Sequence, residues 1–560
     1  MAKIQARLLG AAWNRLAAIS DEVFINIVRT SFSTIVREAR DACCVLMDPA
    51  GRAIVQSQGV PSFLGMLPMT MKSFLEKFPI EMLQVGDIVA TNDPWLGSGQ
   101  VNDITLASPL FLNGKVIGFV GTTQHLMDVG GTGFNASSRE VYEEGLVIPP
   151  MKIARRGNLN DELLDLISTN VRIPKLVLGD LRSTIASHHL AQTLLDDALH
   201  EFHVTDFGGL SDMIIRRTED VMRREIGRIT PGKYTGTAYV EGGEDEPEVK
   251  IVCTVKIGEG KVTVNFDGSS GCSSRGINVP FCYTYSWTQY SIKSLVAPRL
   301  PNNEGCYRCV DVKAPAESIL NAPRPVAVGG RNLVGHIIPS AIFKALKRDM
   351  PTEVIAESGG FTSMQFYGRD RKNRVFWLSH SSSGGMGAGS SFDGLNTTSF
   401  PTNVSNVPVE VIEDLYNLTV EKKELIRDSG GAGKHRGGLG QMIVLRNTTS
   451  NPVSVFLLCN RTRFAPEGLF GGQAGRVRYA TVNGARAEAT GKYLVNPGGT
   501  VVLCDAGGGG YGNSSEREVS EVVNDVRNGY VSREEARKSY GIVIDSHGKG
   551  KRIVKKSQGR

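Results

Sequence analysis

Long apolar runs are missing from this chain. No stretch approaches the roughly 18 to 20 consecutive apolar residues that span a bilayer, and mean hydropathy is −0.12, so neither a membrane-spanning helix nor a membrane partner is expected. The opening residues, MAKIQARLLGAAWNRLAAISDE, lack the basic, apolar, small-residue order of a secretory signal, which makes a cytoplasmic location the expectation. Aromatic residues are only 7 % and do not interleave with a basic face, which argues against a nucleic-acid partner. The net charge of +6 is concentrated at the end of the chain, in Lys549, Lys551, Arg552, Lys555, Lys556 and Arg560. The body is thus close to neutral, and the tail reads as a solvated end. Cysteine is scarce and odd in number, nine in 560 residues, with Cys43 and Cys44 adjacent. That excludes a secreted disulfide framework. Cys306-Tyr-Arg-Cys309 has metal or redox spacing but no second pair to complete a zinc site, and reads as two core or loop thiols.

Several catalytic signatures are missing too. Gly430-Gly-Ala-Gly433-Lys434-His435 has a Gly-Lys pair, but Asp428 stands where a phosphate loop needs its first glycine, and no Ser or Thr follows the lysine. Gly384-Gly-Met-Gly387-Ala-Gly389 lacks the strand-turn-helix context of a dinucleotide site and is expected to be a plain turn. The Gly-x-Ser-x-Gly pattern of a nucleophile elbow is absent; Gly97-Ser98-Gly99 and Ser381-Ser-Ser-Gly384 come nearest, and neither follows a clear buried strand. No repeat of 20 to 50 residues is present.

What the chain does have is glycine, 64 of 560 residues against about 7 % in an average protein. It falls in bursts between ordered stretches, where it permits positive φ and close backbone approach. Apolar spacing predicts a long amphipathic helix between about Ala11 and Arg37, then a strand, tight turn and strand over 40–55, with Asp41 at the helix-to-strand junction. Strands follow at Ile104–Phe111 and Val116–Thr122, and helical spacing runs from Asp161 to Gly227. At Glu248 the period changes to 2, predicting a β-hairpin through Gly258-Glu-Gly260. Helices are expected over Tyr283–Val296 and Leu333–Leu346. Strands then dominate: Leu418–Leu425, Met442–Leu445, Val453–Leu458, Tyr479–Val482 and Thr500–Leu503. Ser532-Arg-Glu-Glu535 is a capping box opening a last helix. The fold class expected is mixed α+β and multi-domain. Its parts are an N-terminal α/β region over 1–227 carrying the site, a central α+β region over 228–351, a β-rich region over 352–515, and a terminal helix and basic tail over 516–560.

One cluster combines chemistry with spacing: Asn92-Asp93-Pro94-Trp95, then Gly97-Ser-Gly-Gln100-Val-Asn-Asp103, then His125-Leu-Met-Asp128-Val-Gly-Gly. If the two intervening strands pair, Gln100/Asp103 and His125/Asp128 converge, and Asp41 approaches from the neighbouring strand. Carboxylates, an imidazole and an amide oxygen are a divalent-metal ligand set; a core histidine with capping aspartates has the same spacing.

These residues carry a family resemblance. Asn92-Asp-Pro, Asp103-Ile-Thr-Leu, His125 to Gly131, Glu144-Gly-Leu-Val-Ile-Pro-Pro, Asn170-Val-Arg172, Gly179-Asp180-Leu-Arg182, Asp428-Ser-Gly-Gly-Ala-Gly, Asn460-Arg-Thr-Arg-Phe-Ala-Pro466, Gly468-Leu-Phe-Gly-Gly472 and Gly507-Gly-Gly-Gly-Tyr-Gly512 run in order over nearly the whole chain. Together they resemble the hydantoinase B/oxoprolinase family.

The resemblance implies a B-type subunit in a hetero-oligomer with an A-type partner that binds ATP and phosphorylates the small-molecule substrate. This chain then completes hydrolysis of a lactam or hydantoin. The same family includes acetone- and acetophenone-type carboxylases, in which an enol phosphate meets carbon dioxide. Gly59 and Phe63, where many lactam-hydrolysing relatives carry histidines, and Gly276-Ile-Asn-Val-Pro280-Phe-Cys-Tyr283 lean toward that side. A third reading is a non-catalytic structural subunit. The family's metal ligands fall on Asp41, Gln100, Asp103 and His125, with Asp103, His125 and Asp128 as catalytic residues and Asp128 orienting His125. The departure is Gln100, where the family pattern has His; it makes the ligand set harder and shifts the expected ion from Zn toward Mn or Mg.

Overall fold

The computed structural model describes residues 6–242, 246–488 and 490–553, so Lys555, Lys556 and Arg560 lie outside the described residues. The chain divides into two compact units. The first comprises residues 1–349 with 375–379 and 402–408, and the second the remainder. Residues 228–349 thus share a unit with the N-terminal region instead of starting a new one at Gly227.

The first unit is built on a seven-stranded antiparallel sheet in the order β2-β1-β5-β4-β3-β6-β7, with β1 Ala42–Met47, β2 Ala53–Gln56, β3 Ile88–Thr91, β4 Asp103–Leu112, β5 Lys115–His125, β6 Met151–Arg155 and β7 Asn158–Leu159. Both faces are covered. On β5, Thr122 hydrogen-bonds His188 of the Pro174–Glu201 helix at 2.9 Å, while the backbone of Gly121 lies against Leu67 of the Met66–Lys77 helix. Burial on two faces is why β1 is apolar throughout rather than alternating.

The first helix runs Ala6–Thr30 and stops short of the expected Arg37. Ser31 N–H still bonds Ile27 O at 3.0 Å, but the two N–H groups after it, of Phe32 and Ser33, are taken by the carboxylate of Asp180 at 2.6 and 3.1 Å. An acceptor that far along the chain ends the helix where apolar spacing alone would continue it. The Asp161–Gly227 stretch forms three helices, Asp161–Asn170, Pro174–Glu201 and Phe207–Ile226, with Pro174 opening the second.

A second sheet of this unit has the order β11-β10-β9-β8, with β8 Gly232–Val240, β9 Val249–Gly258, β10 Lys261–Asn265 and β11 Val310–Lys313. The expected hairpin is β9–β10, with Lys261 opposite Gly258. The Phe281–Val296 helix follows. The helix expected over Leu333–Leu346 is a single turn, Asn332–Gly335, and a separate helix, Ile338–Leu346, because Pro339 sits in the second one's first turn. Cys306 and Cys309 are buried free thiols that burial pushes up to about 11 and about 12.

The second unit is β-rich. Strands Leu418–Leu425, Gln441–Asn447, Thr500–Cys504, Tyr479–Val482 and Ala485–Ala487 are successive neighbours in one sheet. Beside it the glycine bursts run extended and bond to one another. Gly431 N–H reaches Gly508 O at 2.8 Å, Gly508 N–H reaches Gly438 O at 2.9 Å, and Ala388 N–H reaches Gly509 O at 2.9 Å. The Gly384–Gly389 segment is therefore part of a backbone layer, not a plain turn. Lys549 and Lys551 of the basic end are exposed, while Gly550–Arg552 form a strand. Ile542–Ile544 pairs with Gly550–Arg552, and Ile542 packs with Val522, Ala536 and Tyr540. Ser532 caps the last helix by accepting from Glu535 N–H at 3.0 Å.

Candidate active site

Strand register assembles the site. Asp103 opens β4 and His125 closes β5, and the two are paired directly. Ala42 at the start of β1 pairs with Gln124, so Asp41 stands one step beyond, and its carbonyl accepts the His125 N–H at 3.1 Å. Three adjacent strands thus deliver Asp41, Asp103 and His125 at one end of the sheet. The loop leading to Asp103 is tied down by Asn92, whose amide nitrogen donates to the carbonyls of Val101 and Leu146, both at 2.8 Å, and whose oxygen accepts from Ile148 N–H at 2.6 Å.

Asp103 is the hub. Its Oδ1 accepts from His125 Nδ1 at 2.9 Å and Gln100 Nε2 at 2.7 Å; its Oδ2 accepts from Ser98 Oγ at 2.6 Å and Arg331 Nη2 at 2.8 Å. Burial pushes this carboxyl up, but the His125 hydrogen bond and the Arg331 charge outweigh it and hold the group below its ordinary value. Asp41 is the more open carboxylate, its side chain 19 % exposed and its Oδ2 4.0 Å from His125 Nδ1. With no hydrogen bond of that strength it responds to burial instead, and is pushed up to about 6 against the opposing pull of His125.

Around the hub lies a group drawn from far along the chain. The guanidinium of Arg331 is 4.0 Å from the centre of the Tyr283 ring, and its Nε donates to Ser98 O at 2.8 Å. Tyr283 Oη lies 3.0 Å from His336 Nε2. Burial, with the Arg331 charge adding to it, drives His336 down to about 3, so its imidazole is neutral. Glu144 Oε1 accepts the N–H groups of Val328 and Gly329 at 2.7 and 2.6 Å and so anchors the loop that carries Arg331.

Of the residues expected at the site, the fold brings together Asp41, Gln100, Asp103 and His125. Asp128 is engaged elsewhere. It accepts from Gly130 N–H at 2.9 Å, from the backbone N–H of Arg172, and from Arg172 Nη1 at 2.9 Å, so the group that orients His125 is Asp103. Ser98, Glu144 and Arg331 join the site without a signal that spacing could carry. Ser98 reads from the sequence only as a rejected nucleophile; its two flanking glycines are the available sign that its loop folds tightly around a partner.

The sequence profile of the hydantoinase B/oxoprolinase family matches residues 7–514. The chain belongs to this family. It is 28 % identical over 562 residues to the putative B-type chain of a D-/L-hydantoinase from a Pseudomonas species, covering 94 % of this chain and 93 % of that one. A 5-oxoprolinase of Arabidopsis thaliana is 27 % identical over 535 residues, 90 % of this chain but only 41 % of the plant protein. Among solved structures, the ATP-dependent caprolactamase of Pseudomonas jessenii superposes with a TM-score of 0.90 at 25 % identity, over 98 % of both chains. Nucleotide-free acetone carboxylase superposes with a TM-score of 0.89 at 19 % identity, over 98 % of this chain and 81 % of that one. The mixed α and β architecture is thus one that this chain shares with caprolactamase and acetone carboxylase.

A resident metal can be tested against these side chains. A carboxylate offers about four acceptor positions, and all four on Asp103 are filled by protein donors. Gln100 turns its donor nitrogen, not its oxygen, toward Asp103 and His125. Among the described residues no three His, Cys, Asp or Glu side chains are arranged to hold an ion. The cluster in this arrangement does not fit a divalent metal.

Proposed function

We propose that this chain completes the ATP-dependent opening of a cyclic amide, a lactam or hydantoin, that an A-type partner has first phosphorylated. The observation that carries this reading is likeness over nearly the whole length of both chains to a hydantoinase B-type chain and to caprolactamase. The 5-oxoprolinase match supports a partner: there the same region is less than half of a longer chain, and on this reading a separate polypeptide supplies here what the remainder supplies there.

The residues suit the step. An ionised Asp103 can only accept, so His125 is assigned the tautomer that donates Nδ1–H to it and leaves the Nε2 lone pair free. In this mechanism Nε2 takes a proton from the water whose oxygen adds to the activated ring carbon. It returns the proton to the ring nitrogen as the carbon–nitrogen bond breaks, which leaves a ring-opened acyl phosphate that a second water hydrolyses to the carboxylate and inorganic phosphate. Asp103 and Arg331 position the imidazole and do not themselves exchange protons.

The test is product analysis on the complex of this chain with its A-type partner, ATP, and a panel of 5-oxoproline, hydantoin and caprolactam. Ring-opened product is expected, falling by about 100-fold or more in His125→Ala. ATP-dependent incorporation of labelled bicarbonate into a ketone, with no ring opening, would replace this reading with the carboxylase one. Undiminished turnover in His125→Ala would give the chain a structural role instead.

A further inference from the structure

We propose that the guanidinium of Arg331 is the resident cation of the Asp41–Asp103–His125 cluster, and that the chain holds no divalent ion there. The proposal does not depend on whether the complex opens rings or carboxylates ketones.

Hydrogen-bond capacity is the first ground. A metal at this position would need oxygen lone pairs from Asp103, and Arg331 Nη2 and Ser98 Oγ occupy Oδ2 while His125 and Gln100 occupy Oδ1. Gln100 cannot be turned to help, because rotating its amide would place Oε1 2.7 Å from the Asp103 carboxylate, an acceptor against an acceptor. In the present rotamer Oε1 is buried without a hydrogen-bond partner. A histidine at position 100 would offer a ring lone pair, whereas the amide turns a donor onto Asp103.

Charge is the second ground. A buried carboxylate is stable only when paired, and Arg331 pairs with Asp103 while both side chains are almost wholly buried, 4 % and 1 % exposed. A guanidinium is a fixed positive charge, so Asp103 is neutralised without any exchangeable ion.

The third ground is that the seat is built for arginine. Gly99 adopts φ +90, and a Cβ there would lie 2.8 Å from Arg331 Cδ and 2.9 Å from its Nε. Gly99 therefore brings the backbone against the guanidinium stem at a distance that only glycine allows. Tyr283 covers its face, Ser98 O fixes its Nε, and buried Glu144 fixes the backbone two and three residues before it.

The experiment is metal analysis by inductively coupled plasma mass spectrometry on the full chain, with and without its A-type partner. Samples are desalted after dialysis against zinc or manganese. Below about 0.1 ion per chain is expected, with no change in melting temperature on adding EDTA. About 0.5 ion or more per chain, lost in Asp103→Asn, overturns the proposal. Gln100→His restores a ligand nitrogen but leaves Arg331 in place, so it too is expected to stay metal-free. Zinc bound by Gln100→His overturns the proposal. Gln100→His/Arg331→Met is expected to gain close to one zinc, and equal uptake by the single and double variants overturns it. Should the double variant fail to fold, the wild-type and Gln100→His counts still decide.

Discussion

Glu144 carries a consequence of burial that is open to measurement. It is 3 % exposed, with Oε1 bonded to two backbone N–H groups and Oε2 buried without a hydrogen-bond partner. Burial outweighs those hydrogen bonds and pushes its carboxyl up to about 8 from an ordinary 4.5. Between these two values the unfolded chain has released a proton that the folded chain keeps, so stability falls as pH rises through the window. Full stabilisation is present below pH 4.5 and is lost on passing pH 8. Glu144→Gln keeps an acceptor for Val328 and Gly329 and does not titrate. The two proteins should therefore melt alike near pH 5, with the variant more stable by on the order of 3 kcal/mol at about pH 9. Melting curves across that range check it, and parallel pH profiles would show that Glu144 is ionised in the folded state. Glu144 was legible in the sequence only as part of a family motif, and Arg331 not at all. Asp103 and His125 are 22 positions apart and joined by one hairpin, so strand pairing alone predicts their meeting. Arg331 reaches Asp103 across 228 positions, and no local spacing reports that.

At the scale of elements, the period-2 and period-3.6 patterns located most strands and helices, because apolar side chains repeat with the geometry of the element. Strands Leu418–Leu425, Val453–Leu458 and Tyr479–Val482 fall where the pattern puts them. The pattern was blind where no side chain takes part. The glycine layer of the second unit is held by backbone contacts: a Cβ on Gly508 would lie 2.1 Å from Met386 O, and one on Gly437 would lie 1.9 Å from Gly508 O. These glycines are required by the space available, not by positive φ, and such a requirement leaves only composition as a trace. Gly508→Ala should accordingly destabilise the second unit by about 3 kcal/mol or more, since backbone must move to admit the methyl group. Gly258→Ala, with nothing within 4 Å of the new carbon, is the control and should stay within about 0.5 kcal/mol. Calorimetry of both variants reads the difference. Equal, small shifts would mean that the layer relaxes freely and that its glycines serve another purpose.

At the scale of the whole molecule, the Asp103 carboxylate is fully engaged by protein donors, and nothing in the cluster around it is suited to transferring phosphate. The glycine-rich loop with a lysine, Gly430–Lys434, lies in the layer just described: a Cβ on Gly431 would be 2.1 Å from Gln473 O, which leaves that loop no room to cradle a nucleotide. On the proposed function, activation and ring opening are therefore divided between two polypeptides, and neither opens a ring alone. This predicts an asymmetric pattern in reconstitution. Without its partner, the A-type polypeptide should hydrolyse ATP slowly and open no ring; this chain on its own should neither bind ATP nor act on the amide; the mixture should open rings in proportion to ATP consumed. Native mass spectrometry of the mixture should show both chains in one particle. His125→Ala should leave that particle intact while uncoupling it, since ATP would still be spent on a phosphorylated amide that is never opened. Ring opening by this chain alone with ATP would place the phosphoryl-transfer site within it and dissolve the division of labour, while loss of the particle in His125→Ala would mean that the imidazole serves assembly rather than chemistry.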